Sequence, residues 1–147
     1  MVLATGAVAV QAQGRILKEI SAIKGVESVY VGKFMLRTFD SVSTIGVDYE
    51  FGEIVGCLDG IEIVSAETEE AVAKALPILE NLIKKHTPKF EVLVETIDED
   101  ETTVIYGDIS ADKVKCLLIV NREMMDELSI IALRGDIPVE KLASITD

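Results

Sequence analysis

The residue types that most often carry out chemistry are few in this chain, and their settings are those of structural residues. His86 is the single histidine, which excludes a His-rich zinc site and would hang any Ser-His-Asp triad on one side chain, with no G-x-S-x-G turn to present a nucleophile. It follows Lys84 and Lys85 at the end of a helical pattern, where the helix dipole favours positive charge. Cys57 and Cys116 are the only cysteines. Nothing around Cys57 or His86 identifies a thiol hydrolase pair, and Cys116 alternates with Val114, Leu118 and Val120 in the manner of a buried strand, so free thiols are expected. There is neither a G-x-x-x-x-G-K loop nor a G-x-G-x-x-G turn after a strand to cradle phosphate, and no cofactor is expected.

Carboxylates are plentiful. Asp98, Glu99, Asp100 and Glu101 form the densest run, and Asp98 and Asp100 are the candidate metal ligands, for calcium. Thr102 and Thr103 stand where an EF-hand loop needs a fifth-position ligand and a turn glycine. The plainer reading is a solvated hairpin tip. Asp48, Glu50, Glu53 and Asp59 supply pairs of the kind used in glycoside hydrolysis, though in so acidic a chain some pair always arises. Arg134, Gly135 and Asp136 spell the integrin tripeptide, in a setting that predicts a strand-to-helix turn with Asp136 as the cap.

The 147 residues, 49% hydrophobic and 27% charged, suit one globular domain with one core. A net charge of -12 excludes nucleic acid and anionic lipid surfaces as partners, since both are held by clustered Lys and Arg. A basic partner or a cation stays open, beside the bland account of acidity as a solubility device. Trp is absent, which leaves stacking platforms poorly supplied. No apolar run approaches a transmembrane span.

Residues 1–10 are small and apolar, and Val10, Gln11 and Ala12 make a V-x-A pattern acceptable to signal peptidase. We expect residues 1–12 to be a truncated signal peptide, cleaved between Ala12 and Gln13, and 13–147 to be a single domain. An N-terminal strand is the alternative. Cleavage predicts a periplasmic or secreted protein.

The elements that would position these residues follow from periodicity. Ile16, Leu17, Ile20 and Ile23 predict an amphipathic helix over 15–23, ended by Gly25. A β-branched strand over 26–31 leads to a short helix over 33–39. Phe51, Ile54, Val55 and Leu58 predict a helix within a glycine-rich stretch, followed by a strand over 61–64. Ser65, Glu67, Glu69 and Glu70 announce a helix to about His86, with Val72, Leu76, Leu79 and Ile83 as its buried stripe. Pro77 should kink or divide it. Four strands with short connectors follow over 90–97, 102–108, 114–121 and 127–134. In the first of these Phe90, Val92 and Val94 are expected on one face and Glu91 and Glu95 on the other. A last helix is predicted over 135–145. The order gives an α+β class: a two-layer domain whose antiparallel sheet, a four-strand C-terminal meander plus two N-terminal strands, is covered on one face by helices.

From about Arg15 to Ile145 the sequence resembles domain of unknown function 4252, a family of exported Bacteroidetes proteins. The resemblance is carried by KGVESVYVGKFML from Lys24, LDGIEIVSAET from Leu58, FEVLVETIDEDETTVIYGD from Phe90 and LSIIALRGDIPVEKL from Leu128. It implies an exported single domain, often encoded near sigma-factor regulatory genes, and implies no catalytic residue.

These readings lead us to expect a non-enzymatic periplasmic or cell-surface module that binds a protein or a small ligand, and the resemblance suggests a link to envelope signalling. The rival is a hydrolase or metal-dependent enzyme sited in the glycine-rich segment that opens on Tyr49 and closes on Gly60.

Overall fold

The computed structural model describes residues 15–38, 55–85, 90–124 and 126–141. Among these residues six strands make one antiparallel sheet: β1 (Val26–Gly32), β2 (Leu58–Ala66), β3 (Glu91–Ile97), β4 (Glu101–Ser110), β5 (Lys113–Glu123) and β6 (Glu127–Pro138), in the order β1-β2-β6-β5-β4-β3. The meander β3 to β6 follows from connectors too short for anything but hairpins. β2 then pairs with β6, which puts β5 and β6 at the centre. Their runs of Leu, Ile and Val on both faces match that place.

Among the described residues three helices accompany the sheet: α1 (Lys18–Ser21), α2 (Lys33–Thr38) and α3 (Glu69–Lys85). Strand alternation divides the buried side chains into two clusters on opposite faces. Val64, Leu118, Val120, Leu128, Ile130 and Ala132 lie with Leu17 and Ile20 beside α1 and with Ala71, Val72, Ala75 and Leu79 of α3. Ile61, Leu117, Ile119, Ile131, Leu133 and Ile137 lie on the other face with Leu36 of α2. Burial on both faces replaces the expected one-faced arrangement, because the central strands have no polar side to leave wet.

Several local expectations change. α1 has four residues where the pattern predicted nine, yet Leu17 and Ile20 are still buried. Thr68, not Ser65, starts α3, its hydroxyl accepting the Ala71 N–H at 3.1 Å; Ser65 belongs to β2. α3 runs unbroken through Pro77, which is exposed while Ala75 and Leu79 on either side are buried against the sheet. The helix predicted around 51–58 is, over its described part, a single 3-10 turn at Val55–Cys57 running into β2.

The helix predicted over 135–145 is also corrected. β6 continues to Pro138, followed by a 3-10 turn at Val139–Lys141. The strand persists because Ile137 is fully buried opposite Val114. Pro138 is tolerated because β2 pairs with β6 only as far as Gly135, so one side of the strand end needs no N–H donor. Gly135 itself is required by close approach. A Cβ there would sit 2.1 Å from the Cys57 carbonyl oxygen and 2.8 Å from the Leu58 Cα.

In β3 a register shift between Val92 and Val94 leaves Leu93 as an extra residue. Phe90 therefore packs in the cluster beside α3 while Leu93 and Val94 pack in the opposite one, contrary to the expected common face of Phe90, Val92 and Val94. Gly107 makes room for the bulge, since a Cβ there would meet the Leu93 Cδ1 at 2.6 Å.

Candidate functional site

Two polar assemblies stand out, one buried and one exposed. The buried one follows from strand register. Tyr30 pairs with Glu62, Gly60 with Arg134, Arg134 with Cys116, and Cys116 with Asp108. Paired residues share a face, so Tyr30, Glu62, Arg134, Cys116 and Asp108 form a band across five strands on the α1 side of the sheet.

Glu62 is 4% exposed. Its Oε2 accepts the Leu17 N–H at 3.1 Å, and the Ile16 N–H also bonds to the carboxylate. Oε1 is buried without a hydrogen-bond partner. Burial pushes the Glu62 pKa above the ordinary carboxylate range, opposed by those two N–H groups and by the charges of Arg15 and Arg134. The Arg15 guanidinium lies over the Tyr30 ring, 4.8 Å from its centroid. The carboxylate thus holds the chain entering α1 against β2. Burial also pushes the Cys116 thiol up to about 12, so it stays protonated near neutral pH and lacks the thiolate that nucleophilic chemistry needs. Cys57 and Cys116 are both free.

The exposed assembly is an acidic sheet end. The β3–β4 turn carries Asp98, Glu99 and Asp100, closed by Asp98 N–H donating to the Glu101 carbonyl at 2.8 Å. The Met124 N–H donates to the Asp100 carbonyl at 2.9 Å and so ties the β5–β6 turn to it. Register places Glu101 opposite Glu123, and Glu123 opposite Glu127. The hydrogen bond that protonated Glu127 donates to the Glu123 carboxylate, together with the Glu123 charge, raises the Glu127 pKa. Asn121 Nδ2 bridges Glu101 Oε1 at 2.5 Å and Thr103 Oγ1 at 2.8 Å. Asp98 and Asp100 therefore sit in a hairpin tip, and no three His, Cys, Asp or Glu converge in metal-holding fashion among the described residues. The sequence missed that Glu123 and Glu127 join this tip. Only pairing across β4, β5 and β6 could have revealed it.

Next to the acidic end lies β3, an outer strand. Val92 is 59% and Ile97 74% exposed, with Glu91 and Glu95 also exposed. At the other edge, β1 exposes Val29 and Tyr30, and α2 exposes Phe34 and Met35. Lys33 pairs with Asp59 at 3.6 Å there. Outer strands of an open sheet present backbone groups to a further strand, and exposed apolar side chains leave them unguarded.

The tripeptide Arg134, Gly135 and Asp136 lies within β6 and makes no turn. Asp136 pairs with Lys115, which lowers its pKa, in place of the expected helix cap. Ala12, Gln13, Asp48, Glu50, Glu53 and His86 lie outside the described residues. Of the segment 49–60, only residues 55–60 are described.

The family model for a domain of unknown function, DUF4252, matches residues 21–145. The chain belongs to this family. The match takes in all six strands, the five-strand polar band and the acidic end of this DUF4252 domain, while Arg15, Ile16 and Leu17 precede it. Comparison with curated proteins and with solved structures found no match. No helix of the DUF4252 domain is long and apolar enough to cross a membrane, among the described residues.

Proposed function

We propose that this domain is an exported binding module of the periplasm or cell surface, which engages a protein partner by adding one of the partner's strands to an open edge of its sheet. The observation that carries the reading is the exposure of large apolar side chains on both outer strands, 46% for Val29 on β1 and 74% for Ile97 on β3. Soluble proteins commonly blunt such edges with Lys, Pro or cover, whereas strand-adding domains keep them open. The buried band supports the reading from the other side, because its ionisable groups anchor α1 and bury a protonated thiol. Export is supported by the V-x-A pattern at Val10 to Ala12 and by the family's character. A role in envelope signalling fits the same setting.

The test is co-purification of a tagged domain from envelopes of the native organism, alongside Val29→Lys and Ile97→Lys. Both sites are exposed, so both variants should fold. A partner retained by the wild-type domain and lost with one of the variants is expected; retention by both would sink the edge-binding reading.

A further inference from the structure

The two open edges differ in charge, and this difference assigns the partner's chemistry. β1 holds one carboxylate, Glu27, and is flanked by Lys24 and by Lys33, which pairs with Asp59, while Arg15 lies over its Tyr30. β3 holds two carboxylates and no basic residue; Lys89 precedes it in sequence, and Asp98 and Glu99 follow it. Its exposed face toward α3 carries Val92, Glu95 and Ile97, which pair with Tyr106, Val104 and Thr102 of β4. Burial, and to a lesser degree the Glu95 charge, raises the Tyr106 pKa. Glu91 lies at one end of the strand, and Asp98 and Glu99 at the other.

Resting on the edge-binding reading above, we infer that β3 is the working edge and that its occupant is an extended, basic segment of a partner protein, with Lys or Arg alternating with apolar residues. A seventh strand beside β3 would satisfy its outer backbone groups. Apolar side chains of that strand would cover Val92 and Ile97, while its cations, on the opposite face, would meet Glu91 and lie in the field of Glu95 and the tip carboxylates. A second copy of this chain is the wrong occupant. Pairing β3 with β3 would bring two sets of these carboxylates along one seam, within a protein already at -12. The same charge speeds encounter with a cationic segment and makes the association salt-dependent.

The experiment uses the full chain and two capped peptides of equal length, one alternating Lys with Val and one alternating Glu with Val, titrated while backbone amide resonances are followed. The lysine peptide is expected to shift β3 amides and to bind about tenfold more weakly once Glu91 and Glu95 are both changed to Gln, and weaker still at high salt. Glu91→Gln and Glu95→Gln lie on exposed positions, and an unchanged amide spectrum outside β3 will show that the variant folds. Equal binding of the two peptides, or no shift on β3, would overturn the inference. Shifts confined to β1 would overturn it as well, while leaving edge binding intact. Failure of edge binding itself is read separately, in the co-purification with Val29→Lys and Ile97→Lys.

Discussion

Glu62 is the residue whose chemistry departs most from what its neighbours in sequence suggest. It stands among Ile61, Ile63 and Val64, where an alternating strand would put it on a wet face. The face is instead occupied by α1, and the carboxylate is sequestered with one oxygen partnered and one not. Its folded pKa lies above the unfolded value. The stability linked to its protonated form is therefore complete below the ordinary glutamate range near 4.5 and is lost as the pH rises through the folded value. Glu62→Gln keeps an acceptor for the Leu17 N–H and removes the charge. Denaturant midpoints of the variant should fall less than those of the wild-type protein between about pH 5 and about pH 8. Equal pH dependence would show that Glu62 is not the responsible group. Gly135→Ala is the contrasting case, in which space rather than charge decides. The new methyl would meet backbone atoms of Cys57 and Leu58 that cannot rotate away. A loss of about 3 kcal/mol or more is expected in equilibrium unfolding. The sequence marked this glycine only as part of a turn, because the strand that crowds it is distant in the chain.

At the level of elements, helices and strands were legible wherever one side chain period persisted. α3 was found with its stripe of Val72, Leu76 and Leu79, and the four strands of the meander were each found within a few residues. Pro77 shows what local rules leave out. It costs α3 a backbone hydrogen bond, yet the helix continues because Ala71, Val72, Ala75 and Leu79 are buried on both sides of it. Pro77→Ala restores the donor at an exposed position and should stabilise the domain by about 1 to 3 kcal/mol, raising the thermal midpoint by about 4 °C or more. An unchanged midpoint would mean that Pro77 lowers the entropy of the unfolded chain by as much as it costs the helix. In β3 the bulge at Leu93 moved Val94 to the other face. A one-residue insertion in register is invisible to an alternation rule, and here it helped create the exposed strip of Val92 and Ile97. The terminal helix was misread for a related reason: Gly135, Asp136 and Pro138 are helix-start residues locally, and the pairing of β6 with β5 outweighs them.

For the whole molecule, charge and topology act together. The sheet end collects Asp98, Glu99, Asp100, Glu101, Glu123 and Glu127 from two hairpins. The raised pKa of Glu127 means that its protonated form is favoured by folding, so this contribution is lost as the pH rises through the folded value. Glu123→Gln should therefore raise the denaturation midpoint at neutral pH in low salt. The gain should shrink as salt is added, because these groups are exposed. A salt-independent gain would point to packing instead. The same field repels a second copy from β3 and attracts a basic strand, which is why the salt dependence of peptide binding belongs to the molecule and not to one residue.

By itself the sequence determined what depends on short separations: the α+β class with its antiparallel sheet, the order of its main elements, the meander, and the family. The tertiary structure decided what depends on register between distant strands. It placed Glu62 with Arg15 and Arg134, buried Cys116 in a band of polar groups, gathered two hairpins into one acidic end, and left β3 open beside it. The physical reason is that periodicity fixes which face a side chain takes along its own strand, while its neighbours on that face are set by pairing partners as far apart in the chain as Leu58 and Gly135.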